Sequence, residues 1–321
     1  MARATFYDQI AANRRNSFLM AAFVVAVLGV LGFAIGFGVF GEPVAGVGTT
    51  GVALAFGGLS AAGTYFAGDK LVLKVSGAQP VTEQSAPQLM NVVREIAIAA
   101  NVPMPDVYVI DDTAPNAFAT GRDPEHASIA ITTGLLQKLD REELQGVVGH
   151  EMSHIGNLDI RFTLLVGVLV GSIALLADFF LRFTFWGGGR RGRDRDGGGG
   201  AAVLIFVLAL VLAIVAPIIG RLVQAAVSRS RESLADATAV EFTRNPIGLA
   251  RALRAISDDR EVLEVANRAT QHLYIVNPIK SFEERAKSLW DTHPPIGERI
   301  RALENIAGQM GLTASEAPPP R

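Results

Sequence analysis

The longest uncharged stretch of the chain limits its fold most strongly. Residues 17–41, SFLMAAFVVAVLGVLGFAIGFGVFG, contain no charged side chain. A membrane-spanning helix needs about 20 apolar residues, whereas the apolar region of a signal peptide has only about 7–15. The stretch also lacks a convincing cleavage site, so it predicts a retained transmembrane helix. The composition agrees, because 50% of the residues are hydrophobic and only 19% are charged, which is unusual for a soluble enzyme.

Three further apolar runs follow along the chain. Residues 43–68 carry no charge and are rich in glycine and alanine, and small residues such as Gly58 and Ala62 predict close helix packing there. The third run covers residues 162–181 and the fourth covers residues 201–220. Together the runs predict a mainly α, multi-pass integral membrane protein with about four transmembrane helices.

Basic residues beside the short loops predict the orientation of the spans. Arg14 and Arg15 precede the first span and Lys70 and Lys74 follow the second, so both flanks are expected in the cytoplasm. The loop 182–200 has more arginines than aspartates, which opposes placing it outside. The charges alone leave arrangements with two spans and with four spans open.

The absence of cysteine excludes disulfides and thiolate metal sites. A bound metal must therefore be held by imidazole and carboxylate groups. The net charge of −2, with arginines in local clusters, gives no indication of a nucleic-acid partner.

A soluble α+β domain is predicted to begin near residue 75. Residues 85–100 have helical periodicity, and DVYVID (106–111) and ASIAIT (127–132) are typical of short strands. The segment DREELQGVVGHEMSH then begins like a capping box, with Asp140 followed by Glu143, and predicts a helix. Gly156 and Asn157 are a plausible stop for that helix.

Two of the five histidines lie on this predicted helix, one turn apart. At this spacing His150 and His154 can both reach one ion, with nitrogen-to-zinc distances of about 2.0–2.1 Å. Glu151 is rotated off the ligand stripe, so it can face the open position of the ion and act on a bound water. The HExxH pattern therefore predicts a catalytic zinc site rather than two unrelated helix histidines.

A second predicted helix could supply a third ligand. Residues 228–246, SRSRESLADATAVEFTRNP, contain Glu232 and Asp236 one turn apart. A catalytic zinc commonly takes two histidines and a glutamate, and Asp236 could hydrogen-bond the free ring nitrogen of a ligand histidine. The same residues also fit a solvated helix face with ion pairs to Arg229 or Arg231. The spacing alone leaves both interpretations open.

Five stretches of the chain form a combined pattern, in the order PNAFATG (115–121), ITTGLL (131–136), VVGHEMSHIGNLD (147–159), SRSRESLADATAVEFTRNP (228–246) and THPPIGERI (292–300). Together they resemble the HtpX-like membrane-bound zinc metalloproteases, which are relatives of the CAAX prenyl endopeptidases. HExxH is shared by many zinc proteases, but its combination with RExxAD and HPP is much more specific. With the apolar runs, the resemblance covers nearly the whole chain.

The resemblance implies a zincin-like (gluzincin) protease domain with a small β-sheet and one Zn²⁺ per subunit. His150, His154 and Glu232 would be the metal ligands, Glu151 the general base, and Asp236 the residue that supports a ligand histidine. The implied activity is endopeptidase cleavage of misfolded or membrane proteins at the cytoplasmic face of a bacterial-type inner membrane, in quality control and stress response. A non-catalytic membrane scaffold is the alternative; loss of Glu151 or Glu232 would mark it, and both are present.

Other residues extend the predicted site. His293, in THPP, is a candidate oxyanion donor or support of the site wall, and a purely structural histidine before a helix start is an equal alternative. Arg299 is a weaker candidate for the donor. NAFAT is predicted to be an edge strand beside the cleft that pairs with an extended substrate, and Asn116, Phe118 and Ala119 would bracket that contact. An ordinary hairpin is the alternative.

The two ligand-bearing helices are separated in sequence by the third and fourth apolar runs. All three ligands must lie on one side of the membrane, so the number of crossings between them is even, and two crossings are the simpler arrangement.

The expected partners are the lipid bilayer and protein or peptide substrates. The predicted organisation is a cytoplasmic N-terminus (1–16), a transmembrane hairpin (17–74), the first part of the protease domain (75–161), a second hairpin (162–220), the second part of the protease domain (221–312) and a disordered tail (313–321).

Overall fold

The computed structural model describes residues 6–163, 231–259 and 294–312, with a few single residues between 173 and 215. The chain divides into two compact units. One comprises Met1–Phe66 and Leu164–Gln224, and the other comprises Ala67–Thr163 and Ala225–Arg321. Apart from a few positions, the third and fourth apolar runs lie outside the described residues, as do the loop and the tail predicted from the sequence.

Two long helices begin the chain. Helix α1 is Phe6–Phe40 and helix α2 is Pro43–Val75, so both of the first two apolar runs are helical. Among the described residues, one segment is long and apolar enough to cross a membrane, Pro43–Gly63 in α2, and Val25–Phe37 in α1 is a shorter apolar stretch. These residues therefore establish one candidate span.

Small residues and threonines mediate the contact between α1 and α2. The Thr49 hydroxyl donates to the Gly32 carbonyl at 2.7 Å, and the Thr50 hydroxyl donates to the Gly29 carbonyl at 3.3 Å. A Cβ on Gly32 would lie 2.9 Å from the Ala53 Cβ, so glycine is what allows the backbones to approach this closely.

The predicted packing role of Gly58 and Ala62 is wrong for the described residues. Both positions are exposed, and a Cβ on Gly58 would meet no described atom within 4 Å. Gly57, one position earlier, faces Leu28 instead. The helix is apolar on every side, so its composition does not indicate which face packs.

A four-stranded mixed sheet organises the second unit. The strand order is β1-β2-β4-β3, in which β2 and β4 are parallel and the other two pairs are antiparallel. The strands are β1 (Gln79–Pro80), β2 (Asp106–Ile110), β3 (Ala117–Gly121) and β4 (Ala127–Thr132). The strands predicted at 106–111 and 127–132 are thus present, and β3 lies at an edge of the sheet.

Six of the described helices contribute residues to the principal core of this unit, together with the sheet. Helix α3 illustrates the packing, because its buried residues recur at helical spacing at Leu89, Val92, Val93, Ile96 and Ala97. The other face of the sheet packs on the end of α2, where Leu73 is buried. The helical segments are α3 (Pro87–Ala100), α4 (Thr133–Lys138), α5 (Arg141–Gly156), α6 (residues 231–243), α7 (Pro246–Ser257) and α8 (Ile296–Gln309).

Helix α5 lies at the centre of the second unit. Its start is fixed by a complete capping box, in which the Asp140 side chain accepts from the Glu143 amide and the Glu143 side chain accepts from the Asp140 amide. The helix ends at Gly156, with Asn157 as its C-cap, as the sequence predicts. Gly146 permits close packing on α7, because a Cβ there would lie 2.7 Å from the Leu249 backbone.

Candidate metal centre

His150 and His154 lie one turn apart on α5 with their rings converging. The ring centroids are 4.7 Å apart, and the two Nε2 atoms are 3.2 Å apart. The His150 side chain is fully buried and the His154 side chain retains 16% of its exposure. The capped, centrally packed helix thus presents two imidazoles to one point.

Glu232 approaches that point from α6. Its two carboxylate oxygens lie 3.4 Å from His150 Nε2 and 3.5 Å from His154 Nε2. Each of the three residues offers a ligand atom, and these atoms lie within 4.8 Å of one another. The predicted third ligand and the two histidines are therefore brought together from positions far apart in sequence.

The spacing of these donors fits a small tetrahedral ion. Bonds of about 2.0–2.1 Å in tetrahedral geometry imply neighbouring donor atoms about 3.3 Å apart. The two histidine nitrogens are 3.2 Å apart, and each has its nearer Glu232 oxygen at 3.4 or 3.5 Å, which is close to that value. Two imidazole nitrogens and a carboxylate are also a donor set that zinc prefers.

Asp236 lies behind His150. Its Oδ1 is 2.9 Å from His150 Nδ1, which assigns the ring proton to Nδ1 and directs the Nε2 lone pair toward the other donors. Arg299 Nη2 also lies 3.3 Å from the same nitrogen, but we assign the hydrogen bond to the nearer carboxylate. Asp236 was proposed from the sequence as a partner of a ligand histidine, and this contact has the geometry that role requires.

Arg299 holds Asp236 from the first turn of α8. Its Nε donates to Asp236 Oδ2 at 2.8 Å and its Nη2 donates to Oδ1 at 2.7 Å. Burial alone would raise the pKa of Asp236, but the Arg299 guanidinium holds that pKa well below its usual range. The guanidinium of Arg299 thus engages a carboxylate in the fork geometry typical of a strong buried pair.

His154 has its own carboxylate, which the sequence analysis did not identify. Asp159 Oδ2 lies 3.0 Å from His154 Nδ1, and Asp159 is 2% exposed. Arg231 Nε lies 3.4 Å from the other carboxylate oxygen. No general spacing rule assigns an aspartate just beyond a helix end to a histidine ring, so local sequence gives no signal for this contact.

The environment of both rings favours positive charge. Burial opposes the charged form of each imidazole, and Arg299 also opposes it at His150. Hydrogen bonds to Asp236 and Glu232 nevertheless raise the pKa of His150, and hydrogen bonds to Asp159 and Glu232 raise that of His154. The same arrangement of carboxylates that stabilises an imidazolium would stabilise a metal cation.

Glu151 follows His150 on α5 and is 2% exposed. Burial raises the pKa of Glu151, although the two histidines and a hydrogen bond from the Ala119 backbone act in the opposite direction. A carboxylate with a raised pKa is well matched to proton transfer near neutral pH. The hydrogen bond also ties Glu151 directly to strand β3.

The residues predicted to bracket a substrate lie on or beside β3. Asn116 and Ala119 are almost completely buried, and the Asn116 side chain accepts from the Ala117 amide at 3.0 Å. The Phe118 side chain is fully buried in the cluster on the α2 side of the sheet, so a substrate could meet only its backbone. In the described part of the chain, no strand pairs with the outer edge of β3.

Helix α6 is buried around the proposed ligand, and His293 precedes the described part of α8. The solvated helix face considered for residues 228–246 is wrong where α6 is described, because Arg231, Glu232 and Asp236 are each 4–5% exposed. His293 lies outside the described residues, which resume at Pro294 immediately before α8.

The sequence matches a family model and curated relatives over most of its length. Residues 83–307 match the family described as Peptidase family M48. The chain is 44% identical over 300 residues to a protease HtpX homolog of Ligilactobacillus salivarius, covering 94% of this chain and 99% of that protein. It is 41% identical over 300 residues to the protease HtpX homolog of Streptococcus gordonii, with the same coverage. Among solved structures, that of S. mikatae Ste24p matches with a TM-score of 0.48 and 18% identity, covering 93% of this chain and 66% of that one.

Proposed function

The chain belongs to peptidase family M48 and is a membrane-associated protease, and on that basis we propose that it is a zinc-dependent endopeptidase. The proposed ligands of a single zinc ion are His150, His154 and Glu232. The observation that supports this assignment most directly is that the two histidine nitrogens lie 3.2 Å apart, with one Glu232 oxygen 3.4 Å from His150 Nε2 and the other 3.5 Å from His154 Nε2.

The proposed chemistry is hydrolysis of a peptide bond. When bound, zinc would make water reactive near neutral pH and polarise a carbonyl group as a Lewis acid. Glu151 would accept the proton of the attacking water and then deliver a proton to the leaving amine. Its raised pKa and its burial support this role, because a partly desolvated carboxylate holds a proton more readily than a solvated one. His293 remains the proposed donor to the developing oxyanion or a support of the site wall.

The proposed mode of substrate binding uses strand β3. An extended peptide could add to its outer edge, with main-chain hydrogen bonds beside Asn116, Phe118 and Ala119. The hydrogen bond from the Ala119 backbone to Glu151 supports this proposal, because it ties the edge strand to the proposed base. A bound peptide would therefore run next to the residue that acts on it.

The proposed substrates are misfolded or membrane proteins, cleaved at the cytoplasmic face in quality control and stress response. Two features support a site near the membrane surface. His154 is close in sequence to the third apolar run, and the pattern of basic residues favours a cytoplasmic domain. We also propose the four-span organisation, because the ligands on either side of the third and fourth apolar runs must lie on one side of the membrane and two crossings between them are the simpler arrangement. The protease domain would be formed by residues 75–161 and 221–312.

Two substitutions test the proposed roles separately. Glu151→Gln removes the base while keeping an acceptor for the Ala119 amide, so we expect stoichiometric zinc with casein cleavage reduced at least about 100-fold. Glu232→Ala removes a ligand and should lose zinc and activity together. Metal content of detergent-purified protein and casein digestion are the two measurements.

The matched control is Glu142→Gln, because Glu142 is on the same helix with a mostly exposed side chain. It should retain both zinc and activity. Cleavage by Glu151→Gln at more than a few per cent of the parent rate would exclude Glu151 as the base. Stoichiometric zinc in dialysed Glu232→Ala would mean that the third ligand is another residue.

A further inference from the structure

Each of the two histidines on α5 has a carboxylate behind it, and each carboxylate has an arginine beside it. At His150 the carboxylate is Asp236, and Arg299 donates two hydrogen bonds to it. The pair at His154 consists of Asp159 and Arg231. The second arrangement involves residues that have no role in the function proposed above.

The backbone between His154 and Asp159 makes a tight turn between two helices. Helix α5 ends at Gly156, and Leu158 adopts a left-handed conformation with φ 61°, which is uncommon for a residue other than glycine. A new helical segment begins at Asp159. The turn therefore brings the Asp159 carboxylate back onto the ring of a histidine on the helix that has just ended. Such conformations concentrate where the surroundings hold a functional geometry.

Arg231 connects this carboxylate to the helix of Glu232. It is the neighbour of Glu232 on α6, is 4% exposed, and approaches Asp159 with Nε at 3.4 Å. Its guanidinium carbon lies 3.4 Å from the centre of the Phe162 ring, which packs against the flat face of the cation. Arg231 thus makes an ion pair with Asp159 on one side and a cation–π contact with Phe162 on the other.

We propose that Asp159 is a positioning residue for His154, and that Arg231 fixes Asp159 to the helix that carries Glu232. Asp159 accepts the Nδ1 proton of His154, which fixes the ring tautomer and directs Nε2 toward the point shared with His150 and Glu232. This inference rests on the proposed metal site. In this proposal the contacts His154–Asp159 and Asp159–Arg231 join α5 to α6, in addition to the contact between His150 and Asp236.

The test compares Asp159→Ala and Asp159→Asn in the full chain purified in detergent. Removing a carboxylate behind a ligand histidine typically weakens metal binding about 10- to 100-fold. We expect that loss in zinc affinity for Asp159→Ala, measured by competition with a chromophoric chelator. Asp159→Asn should lose less, because its amide oxygen can still accept the Nδ1 proton. In Co²⁺-loaded protein, both variants should shift the visible absorption bands of the metal.

The chain offers a matched control in Asp123. Its Oδ1 lies 2.6 Å from Nδ1 of His126, which is half exposed, so it forms the same kind of pair on the surface. Asp123→Asn should leave zinc affinity and the Co²⁺ spectrum unchanged. A second variant, Asp159→Ala with Arg231→Met, removes both buried charges together with the acceptor for His154 Nδ1, and should still bind zinc less tightly than the parent.

The outcomes separate three cases. If the parent binds zinc and cleaves casein but Asp159→Ala binds zinc within twofold of the parent, the positioning role is refuted. Parent-like zinc affinity in the double variant refutes it too, because the single change would then have acted only by stranding a buried arginine. If the parent itself binds no zinc, the proposed metal site fails before the role of Asp159 is reached.

Discussion

Replacing Arg299 with methionine should destabilise the metal-free protein strongly. Arg299 is 3% exposed, and its guanidinium is bonded twice to Asp236 and lies 3.7 Å from a Glu232 oxygen. Methionine fills similar space but removes the guanidinium charge beside two buried carboxylates. Removing one partner of a buried ion pair typically costs about 3–5 kcal/mol. At about 2–4 °C per kcal/mol for a domain of this size, the melting temperature should fall by roughly 6–20 °C.

The stability lost in Arg299→Met should depend on whether metal is bound, and the loss should be fully present at neutral pH. A zinc ion beside Glu232 would replace part of the missing positive charge, so the fall should be larger in EDTA than with saturating zinc. Arg299 holds the pKa of Asp236 below its usual range. Stability from a depressed carboxyl pKa is present above the unfolded value of about 3.9 and is lost as the pH falls below it. A measurement at pH 7 therefore captures the whole contribution.

The assay is thermal unfolding of detergent-purified parent and variants at pH 7, in EDTA and in zinc. Arg254→Met is the matched control, because Arg254 forms an ion pair with Glu304 in which both side chains are nearly half exposed. Exposed pairs contribute about 0–1 kcal/mol. A melting temperature of Arg299→Met within 2 °C of Arg254→Met in EDTA would refute the assignment of a buried charge cluster. Arg299→Lys should not restore stability, because an ammonium cannot form the two-point contact.

The remaining predictions concern packing and topology. Gly146→Ala should destabilise the protein by about 1–3 kcal/mol, because its Cβ would clash with the Leu249 backbone. Gly156→Ala on the same helix should be neutral or stabilising by up to about 1 kcal/mol, because its Cβ would make ordinary contact with Val102 at 3.6 Å. Chemical denaturation measures both changes in stability. Equal effects of the two substitutions would contradict the packing of α5 on α7. Gly198→Cys in this cysteine-free chain should react with an impermeant thiol reagent in intact cells if the protein has four spans. Labelling only after permeabilisation would favour two spans.

Local features were predictable from the sequence because their causes are local. The capping box at Asp140 and Glu143 and the stop at Gly156 depend on side chains within a turn or two of the helix ends. Strand β4 was predicted with its observed bounds, 127–132, since an alternating β-branched run needs no distant information. The pairing of the two histidines follows from helical spacing alone.

Features that depend on which surfaces meet were not predictable. The spacing of Glu232 and Asp236 fits a solvated face as well as a buried one, and only the packing of α6 decides between them. Gly58 was expected at a helix contact that Gly57 makes instead, because a uniformly apolar helix carries no mark of its packed face. Asp159 reaches His154 through a left-handed turn at Leu158, which no residue preference predicts.

The close approach of α6 to α5 is what gives the site its geometry. Gly149 lies one residue before His150 and faces α6, where a Cβ would be 3.4 Å from the Cβ of Ala239 and 3.3 Å from a methyl of Thr243. The absence of a side chain there lets the two helices pack closely next to the ligands. Because α6 carries Arg231, Glu232 and Asp236, one displacement of this helix would lengthen their contacts with Asp159 and with the two histidines together. The metal site is therefore a property of helix packing, and its donor separations of 3.2–3.5 Å reflect that packing as much as the ligands themselves.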